Sequence, residues 1–494
     1  MNLALLSHEW LVIALGLGLL LADLWLPAPA RRKLGCIAAV GLGAILVYSL
    51  FAFRLAPDET QYAFGKMYAL DGLALFFKRF FLLATILVLV MSVEFADRIE
   101  TGIAEFYALM LFALSGMLFA ASANDFALLF VSLELITVTF YVLTSFQRAR
   151  LTSLEAGVKY LIIGALSTSF TVFGIALVSG ISGKLNFGEL AAVAGQYSGN
   201  KLFLFGLLLV LVGLGFKIAA FPFQIWAPDV YQGAPTPATA FLAVGSKAAG
   251  FVLLLRVLFL AVPDITAQWL KLLITISAVT ILYGNLCAIP QRNLKRLLGY
   301  SSISHAGYLL LGVAALAAVA SQPATASVSS GAAAILYYLS GYLFTVLGAF
   351  TVICVVMRHL EGEDITALAG LNQRSPLLAT TLTLAMVSLA GIPPMAGFFG
   401  KFLLIKAALA QGSLDPAFYW LVAIALGGVV ISIYYYFGVV RAIFWSTQAS
   451  DLSPIQLSLP LKVSLFTCMA GMFVLGLYPA PVVKWAAEAV RVLK

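Results

Sequence analysis

The sequence has few charged residues. Asp, Glu, Lys and Arg make up 10% of the 494 residues, whereas hydrophobic residues make up 62%, and the mean hydropathy is +1.04. This composition excludes a water-soluble globule and predicts an integral membrane protein. The apolar segments run to about 20 residues without the alternating period of lipid-facing strands, which favours an all-α polytopic protein over a barrel.

The sequence also lacks the ligand patterns of redox centres. The cysteines stand singly, without the clustered spacing of iron–sulfur or zinc sites, and we interpret them as packing residues: Cys36, Cys287, Cys354 and Cys468. Of the histidines His8, His305 and His359, only His305 lies in a predicted span, so two axial haem ligands are not available. No P-loop and no GxGxxG motif after a strand occurs. We expect this chain to bind no cofactor and no metal.

The apolar segments predict about fourteen transmembrane helices. Their expected starts lie near residues 8, 34, 69, 104, 124, 156, 203, 236, 268, 297, 331, 375, 416 and 460. Ala28-Pro29-Ala30 resembles a signal cleavage site, but Met1 to Trp10 holds Glu9 and neither Lys nor Arg, so we interpret the first segment as a helix that stays in the protein. An even count places both termini on one side.

Lysine and arginine in the connections predict the orientation. Loops after even-numbered helices hold five: Arg54, Lys66, Lys184, Lys201 and Lys271. Loops after odd-numbered helices hold thirteen: Arg31, Arg32, Lys33, Arg98, Arg148, Arg150, Arg292, Lys295, Arg296, Arg358, Arg374, Arg441 and Lys462. We therefore expect the odd-numbered loops in the cytoplasm and both termini on the periplasmic side. The net charge of +8 reflects this topology, not nucleic-acid binding.

Four ionisable residues lie deep in apolar runs: Glu134, Lys217, Lys247 and Lys401. At about 1.5 Å per residue, the first three lie about 15, 21 and 18 Å into their helices, and the Gly391-Ile392-Pro393-Pro394 break returns Lys401 to mid-depth. A charged amine at bilayer depth costs roughly 2.5 to 3.5 kcal/mol even on the lowest scale, which marks a pathway for ions.

Such groups are suited to reversible protonation. Burial can bring the pKa of a lysine from about 10.4 down toward neutrality, and a nearby carboxylate restores it, so we expect Glu134 and Lys217 to titrate as a coupled pair. Arginine cannot substitute, because it does not deprotonate. The alternative is a static ion pair that fixes helix packing.

Other polar residues are open to two interpretations. His305 is either a proton relay between Lys247 and Lys401 or a core histidine bonded to Ser301 or Ser302. Glu155 and Lys159 are four apart and form either an interfacial pair or part of the pathway. We expect Arg256 and Lys406 to extend toward the interface, and the tyrosines, including Tyr337, Tyr338 and Tyr434 to Tyr436, to serve in packing.

Two segments suggest an internal duplication. GFKIAAFPFQIWAPDVY around Pro222 and SLAGIPPMAGFFGKFLL around Pro393 are both apolar helices that break near mid-length beside a lysine. Paired interrupted helices are typical of transporters built from repeats.

Several motifs carry a family resemblance. FKIAAFPFQIWAPDVYQGAPTPATAFLAVGSKAAGF, from Phe216 to Phe251, resembles the antiporter-like membrane subunits of respiratory complex I. Within that family, PDVYQGAPTP is similar to the subunit N branch of NADH-quinone oxidoreductase. NLKRLLGYSSISHAGY (residues 293 to 308) and GIPPMAGFFGKF (residues 391 to 402) support the same assignment.

The resemblance implies a fold with two inverted five-helix repeats and discontinuous helices seven and twelve. The implied divisions are helices one to three (1–103), repeats at 104–260 and 261–446, and a last helix at 447–494. Glu134, Lys217, Lys247 and Lys401 match the family's essential residues. Two departures are Gln224, where many relatives have histidine, and Gly245-Ser246 before Lys247, where proline–lysine is common.

The resemblance also implies the function. We expect a proton-translocating, non-redox subunit of a translocase in the bacterial inner membrane, with NADH, flavin, iron–sulfur clusters and quinone bound by partner subunits. The expected relay runs from Glu134 and Lys217 through Lys247 and His305 to Lys401, from the cytoplasm outward. The alternatives are a subunit of a multi-chain sodium/proton antiporter and a non-transporting scaffold.

Overall fold

The computed structural model describes residues 3–53, 55–56, 59–320, 328–359, 363–445 and 452–493. Arg54, one of the loop cations counted above, lies outside the described residues. The helices of the first half are α1 (Ser7–Asp23), α2 (Ala28–Arg31), α3 (Leu34–Ala52), α4 (Gly72–Phe95), α5 (Ile103–Ala121), α6 (Phe126–Thr144), α7 (Leu151–Ser182), α8 (Phe187–Ala194), α9 (Lys201–Ile218), α10 (Trp226–Gly233) and α11 (Thr236–Phe241). Those of the second half are α12 (Lys247–Arg256), α13 (Leu270–Ala288), α14 (Leu294–Ala320), α15 (Val328–His359), α16 (Leu371–Arg374), α17 (Pro376–Ala390), α18 (Ala396–Leu409), α19 (Ala417–Trp445), α20 (Leu459–Leu477) and α21 (Ala480–Ala489).

The predicted all-α membrane architecture is confirmed. Among the described residues, thirteen helical segments are long and apolar enough to cross a membrane. Helices α17 and α18 are each shorter, but they follow one another across residues 391–395 and together form the twelfth predicted span, which brings the total to fourteen. The seventh span is likewise divided, into α9 and α10. Both discontinuous helices therefore lie where the prolines predict them.

One polar stretch between the spans contains a hairpin. It forms from β1 (Gln61–Ala63) and β2 (Tyr68–Leu70). Tyr68 also bridges to Ala123, which joins the hairpin to the connection between α5 and α6. Ala69 N donates to Ser122 O and Asn124 N donates to Met67 O, each at 2.9 Å, a pairing that the local sequence does not reveal.

The eighth span lies at the centre of the bundle. It runs from Thr236 to Ala261 and is buried along its whole length. Regular helix α12 is bounded at both ends by π turns, Leu242–Ser246 and Val257–Ala261. The seventh span packs on α7 through small residues: a Cβ at Gly174 would come within 2.5 Å of the carbonyl oxygen of Gly206, so the two backbones approach closely.

The two ends of the chain meet at one side of the bundle. A short 3₁₀ helix at Leu3–Leu6 contacts β1, and α21 contacts α4 near its start. We call the side formed by Leu3–Leu6, the hairpin and α21 the terminal face. The helix connections at residues 145–150 and 289–293 lie at the opposite face.

Candidate functional site

Lys217 and Glu134 line one small cavity. Lys217 lies in the last turn of α9 and is buried, and its Nζ donates to Thr137 Oγ1 at 2.9 Å. Glu134 lies on α6, one turn before Thr137, and accepts a hydrogen bond from Thr168 Oγ1 at 2.7 Å. The cavity between α6, α7 and α9 has a volume of about 20 Å³, which is room for about one water molecule. The carboxylate and the amine thus line the same cavity. Each bonds to a threonine hydroxyl, and the two form no direct ion pair.

The break after α9 explains why a lysine fits there. Ala219 has a positive φ of 58°, which ends the helix. The broken segment is anchored to neighbouring groups, since Phe221 N donates to Thr280 Oγ1 and Trp226 Nε1 donates to Phe216 O, each at 3.1 Å. The carbonyl end of a helix carries partial negative charge, which favours a cation in the last turn.

Lys247 begins α12 and meets α14. Its Nζ donates to the carbonyl oxygen and to Oγ of Ser302. The same Oγ contacts the hydroxyls of Tyr231 at 2.9 Å and Tyr342 at 3.1 Å. Ser302 is therefore the centre of a buried hydroxyl network around the Lys247 amine. The Gly245-Ser246 departure coincides with the π turn that precedes Lys247.

His305 lies between Lys247 and Lys401 and contacts tyrosine side chains. Nδ1 bonds to the Tyr338 hydroxyl and Nε2 contacts the Tyr436 hydroxyl at 3.2 Å, so neither Ser301 nor Ser302 is its partner. Its ring centroid lies 5.2 Å from that of Tyr342. The interpretation of Tyr338 and Tyr436 as packing residues alone was incomplete, because their hydroxyls bond to His305.

Lys401 reaches back across the second helix break. It lies on α18, and its Nζ donates to Leu389 O at 2.7 Å and Ala390 O at 3.3 Å, the last carbonyls of α17. The amine also lies 5.0 Å from the centroid of the Tyr308 ring. Lys217 lies in the last turn of the half-helix before its break, whereas Lys401 lies on the half-helix after its break and its amine reaches back to the carbonyl end of α17.

Glu155 and Lys159 form the i,i+4 ion pair that their spacing predicts, at 2.6 Å. Lys159 also binds Asp229 at 2.6 Å, and Arg296 contacts the same carboxylate. These side chains are partly exposed and tie α7 to α10 and α14 near the face opposite the terminal face. The residues join the seventh span to its neighbours without reaching the buried lysines.

Two buried cations outside this group, Arg256 and Lys295, are each held by a carboxylate. Arg256, expected to extend toward the interface, is fully buried and its Nη2 donates to both carboxylate oxygens of Asp71, so that expectation was wrong. Lys406 is exposed. Lys295 pairs with Glu363 at 3.2 Å. Burial alone would raise the pKa of Glu363, but Lys295 and Asn293 bring it below its ordinary value, which keeps this carboxylate ionised.

Comparisons with known proteins extend this picture. The family described as "NADH:quinone oxidoreductase/Mrp antiporter, TM" matches residues 123–432. The chain is 38% identical over 488 residues to NADH-quinone oxidoreductase subunit N of Moorella thermoacetica, covering 99% of this chain and 98% of that protein. A chain of respiratory complex I from Thermus thermophilus with bound aureothin is similar at 32% identity, with a TM-score of 0.75 over 97% of this chain and 100% of that one. A chain of the membrane-bound sulfane sulfur reductase, an archaeal respiratory membrane complex, shares the fold at 24% identity, with a TM-score of 0.84 over 99% of this chain and 97% of that one.

Proposed function

The chain belongs to the family of NADH:quinone oxidoreductase and Mrp antiporter membrane subunits, and we propose that it translocates protons as the subunit N of a bacterial NADH-quinone oxidoreductase. It is a multi-pass protein of the bacterial inner membrane, where it assembles with other membrane and peripheral subunits of complex I. Electron transfer from NADH to quinone, and the cofactors for it, belong to those partners.

The observation that carries the proposal is the environment of the three lysines. Lys217, Lys247 and Lys401 are buried, and neutral oxygens accept the hydrogen bonds from their amines: a threonine hydroxyl, a serine, and two backbone carbonyls. Within the described residues, no carboxylate lies within 4.0 Å of these three amines, whereas Lys78, Arg256 and Lys295 each have one. A buried cation paired with a carboxylate is fixed in charge, while an amine among neutral oxygens can lose its proton without leaving a bare carboxylate.

A relay follows from these contacts. Glu134 and Lys217 exchange a proton across their shared cavity, and Lys247 passes one through Ser302 and the Tyr342 hydroxyl toward His305. Tyr338, Tyr436 and Tyr308 line the remaining path from His305 to Lys401. Moving one charge against 100 mV costs about 2.3 kcal/mol. A change of similar size in the free energy of protonation at each carrier therefore suffices to drive one step.

The direction of transport is inferred from the distribution of positively charged residues between the two faces. The connections with thirteen Lys and Arg residues lie opposite the terminal face, and a positive excess favours the cytoplasm. On this orientation the terminal face is periplasmic and protons leave there. The seventh and twelfth spans each break beside a buried lysine, Lys217 or Lys401, which supports division into repeats at 104–260 and 261–446.

Ser302→Ala tests the relay. Loss of the hydroxyl that joins Lys247 to Tyr231 and Tyr342 should slow NADH-driven acidification of inside-out vesicles by about threefold to tenfold, less than the roughly 10²–10⁴-fold of a group that is itself a general acid or base. Ser304→Ala is the matched control, since Ser304 is buried on the same helix and its hydroxyl donates to Ser301 O, one turn earlier in that helix, at 2.8 Å. Equal acidification rates in the two variants would contradict a route through Ser302.

A further inference from the structure

A large pocket lies between α5, α6 and α7 at the face opposite the terminal face. It has a volume of about 850 Å³, and the connections at residues 98–102 and 145–150 line it. Tyr141 of α6 and Leu161 of α7 also line it, and Leu161 lies ten residues, about 15 Å, into its helix. On the orientation proposed above this face is cytoplasmic, and we call the space the cytoplasmic pocket.

Tyr141 separates this pocket from the small cavity between α6, α7 and α9. On α6 it follows Thr137, which lines the small cavity, by four residues, about one turn. On α7 its hydroxyl lies against Gly164, where an added Cβ would come within 2.2 Å of Oη. Thr168, which donates to Glu134, follows Gly164 by four residues, about 6 Å along the helix axis. The Tyr141 hydroxyl therefore lies at the boundary between the two spaces.

The hydroxyls at this boundary lack protein partners. Within the described ranges, the buried hydroxyl oxygens of Tyr141, Tyr160 and Ser246 make no hydrogen bond. The ring centroids of the two tyrosines lie 5.4 Å apart, and Tyr160 faces Ser246, the residue before Lys247. An unsatisfied buried polar group costs about 1–3 kcal/mol, which a water molecule would relieve. Phenylalanine would fill the same space without this cost, so packing alone does not account for the tyrosines.

The ionisable groups near this boundary suit the uptake of protons. The charged residues that line the cytoplasmic pocket are Arg98, Glu100, Glu105, Arg148 and Arg150. Arg150 pairs with Glu363, and Arg98 donates to Met357 O. Both pocket carboxylates are exposed, so they can take protons from solution. On the other side of Tyr141, the small cavity is lined by Glu134 and Lys217.

We propose that Tyr141 is the proton entrance of this subunit and passes protons from the cytoplasmic pocket to Glu134. This inference rests on the proposed function. The hydroxyl accepts a proton from a hydronium ion in the pocket and, in the same step, gives its own proton to a water molecule that passes one to the Glu134 carboxylate. One O–H bond forms and one breaks at the tyrosine, which stays neutral. The hydronium ion becomes water, and the carboxylate becomes a carboxylic acid beside Lys217.

Tyr141→Phe tests the proposal in the assembled complex. It keeps the ring and removes only the hydroxyl, so a packing role predicts wild-type translocation. We expect NADH-driven acidification of inside-out vesicles to fall by about tenfold, less than the roughly 10²–10⁴-fold of a general acid or base, because water can replace part of what the hydroxyl does. Tyr107→Phe is the matched control, since this buried tyrosine of α5 lines neither space and its hydroxyl contacts Arg32 O at 3.5 Å.

The dependence of the rate on pH separates slow proton uptake from a general defect. Inside-out vesicles expose the cytoplasmic face to the medium, so an uptake step that limits the rate is first order in the protons of the medium. The deficit of Tyr141→Phe should therefore shrink as the medium is made more acidic, with oxidation of NADH by a soluble artificial acceptor as the reference at each pH. A deficit of equal size at every pH would indicate a structural defect and overturn the proposal.

Gly164→Ala reaches the same hydroxyl from the other helix. Its methyl group would lie 2.2 Å from Tyr141 Oη, so the tyrosine must move, and we expect a similar fall with the same dependence on pH. Gly180→Ala, also on α7, is the control, because its Cβ would meet no described atom within 4 Å. This pair of variants decides the question if Tyr141→Phe does not assemble.

Lys217→Ala measured alongside separates the entrance from the proposed function. Wild-type translocation in Tyr141→Phe or Gly164→Ala, together with slow translocation in Lys217→Ala, would overturn the entrance alone. Wild-type translocation in Lys217→Ala would count against the proposed function itself.

Discussion

Lys217→Ala is expected to lower proton translocation by about tenfold or more while the complex still assembles. The variant removes the amine that faces Glu134 across the shared cavity and leaves the Thr137 hydroxyl, which can bond to its own helix at Leu133 O. Among the residues that the structure describes, Glu134 is the one other side chain with an ionisable group that lines that cavity. The measurement is NADH-driven acidification of inside-out vesicles, with oxidation of NADH by a soluble artificial acceptor as the measure of assembly.

Lys201→Ala is the matched control for this variant. Lys201 begins the same helix, α9, and is exposed. Its loss changes the net charge equally, so a drop in translocation in both variants would assign the effect to charge and not to the carrier. A Lys217→Ala complex that pumps at the rate of the wild type would remove Lys217 from the pathway.

Lys401→Ala is expected to lower proton translocation by a similar factor, about tenfold, because it also removes a buried amine of the proposed relay. Its amine is the hydrogen-bond donor to the two last carbonyls of α17, and the side chain spans the helix break. Because the proposed carriers act in series, the double variant with Lys217→Ala should translocate protons no more slowly than either single variant. Lys406→Ala, on the same helix and exposed, is the control.

Losses that multiply in the double variant would contradict a serial relay. They would instead indicate that the two lysines contribute independently to one rate-limiting step. Two parallel routes, one in each repeat, would leave each single variant with the rate of the other route. Equal rates in the single and double variants would support one route through both half-helix ends.

Much of the fold could be predicted from composition and hydropathy. A span of about 20 apolar residues is a strong signal because the bilayer imposes its length, and the fourteen expected starts lie within a few residues of those observed. The breaks at Pro222 and Pro393 were predictable as well, since proline interrupts a helix. The deep positions of Lys217, Lys247 and Lys401 followed from counting residues along those helices.

The partners of these residues could not be predicted in the same way. His305 bonds to Tyr338 and Tyr436, which lie on α15 and α19, and only the packing of three helices brings them together. Arg256 meets Asp71 across 185 positions of sequence. The signal that could have identified this pair was present, because Glu9, Asp71, Lys78 and Arg256 are opposite charges in or beside apolar segments, and such charges pair in a membrane.

The structure also distinguishes the two interpretations of a buried lysine. Lys78 and Lys295 fit the static one, each with a carboxylate at hydrogen-bonding distance. Lys217, Lys247 and Lys401 fit the interpretation as groups that gain and lose a proton, because hydroxyl and carbonyl oxygens surround their amines. The difference lies in the neighbours on other helices, which is why sequence position alone left the choice open.

Proton translocation by Lys217→Arg tests most directly whether these amines change their charge. Arginine keeps the positive charge beside Glu134, but its guanidinium does not deprotonate. We expect an assembled complex in which NADH-driven acidification of inside-out vesicles is as slow as in Lys217→Ala. Acidification at the wild-type rate would show that a permanent positive charge suffices at this position, and would contradict a pathway in which lysines load and release protons.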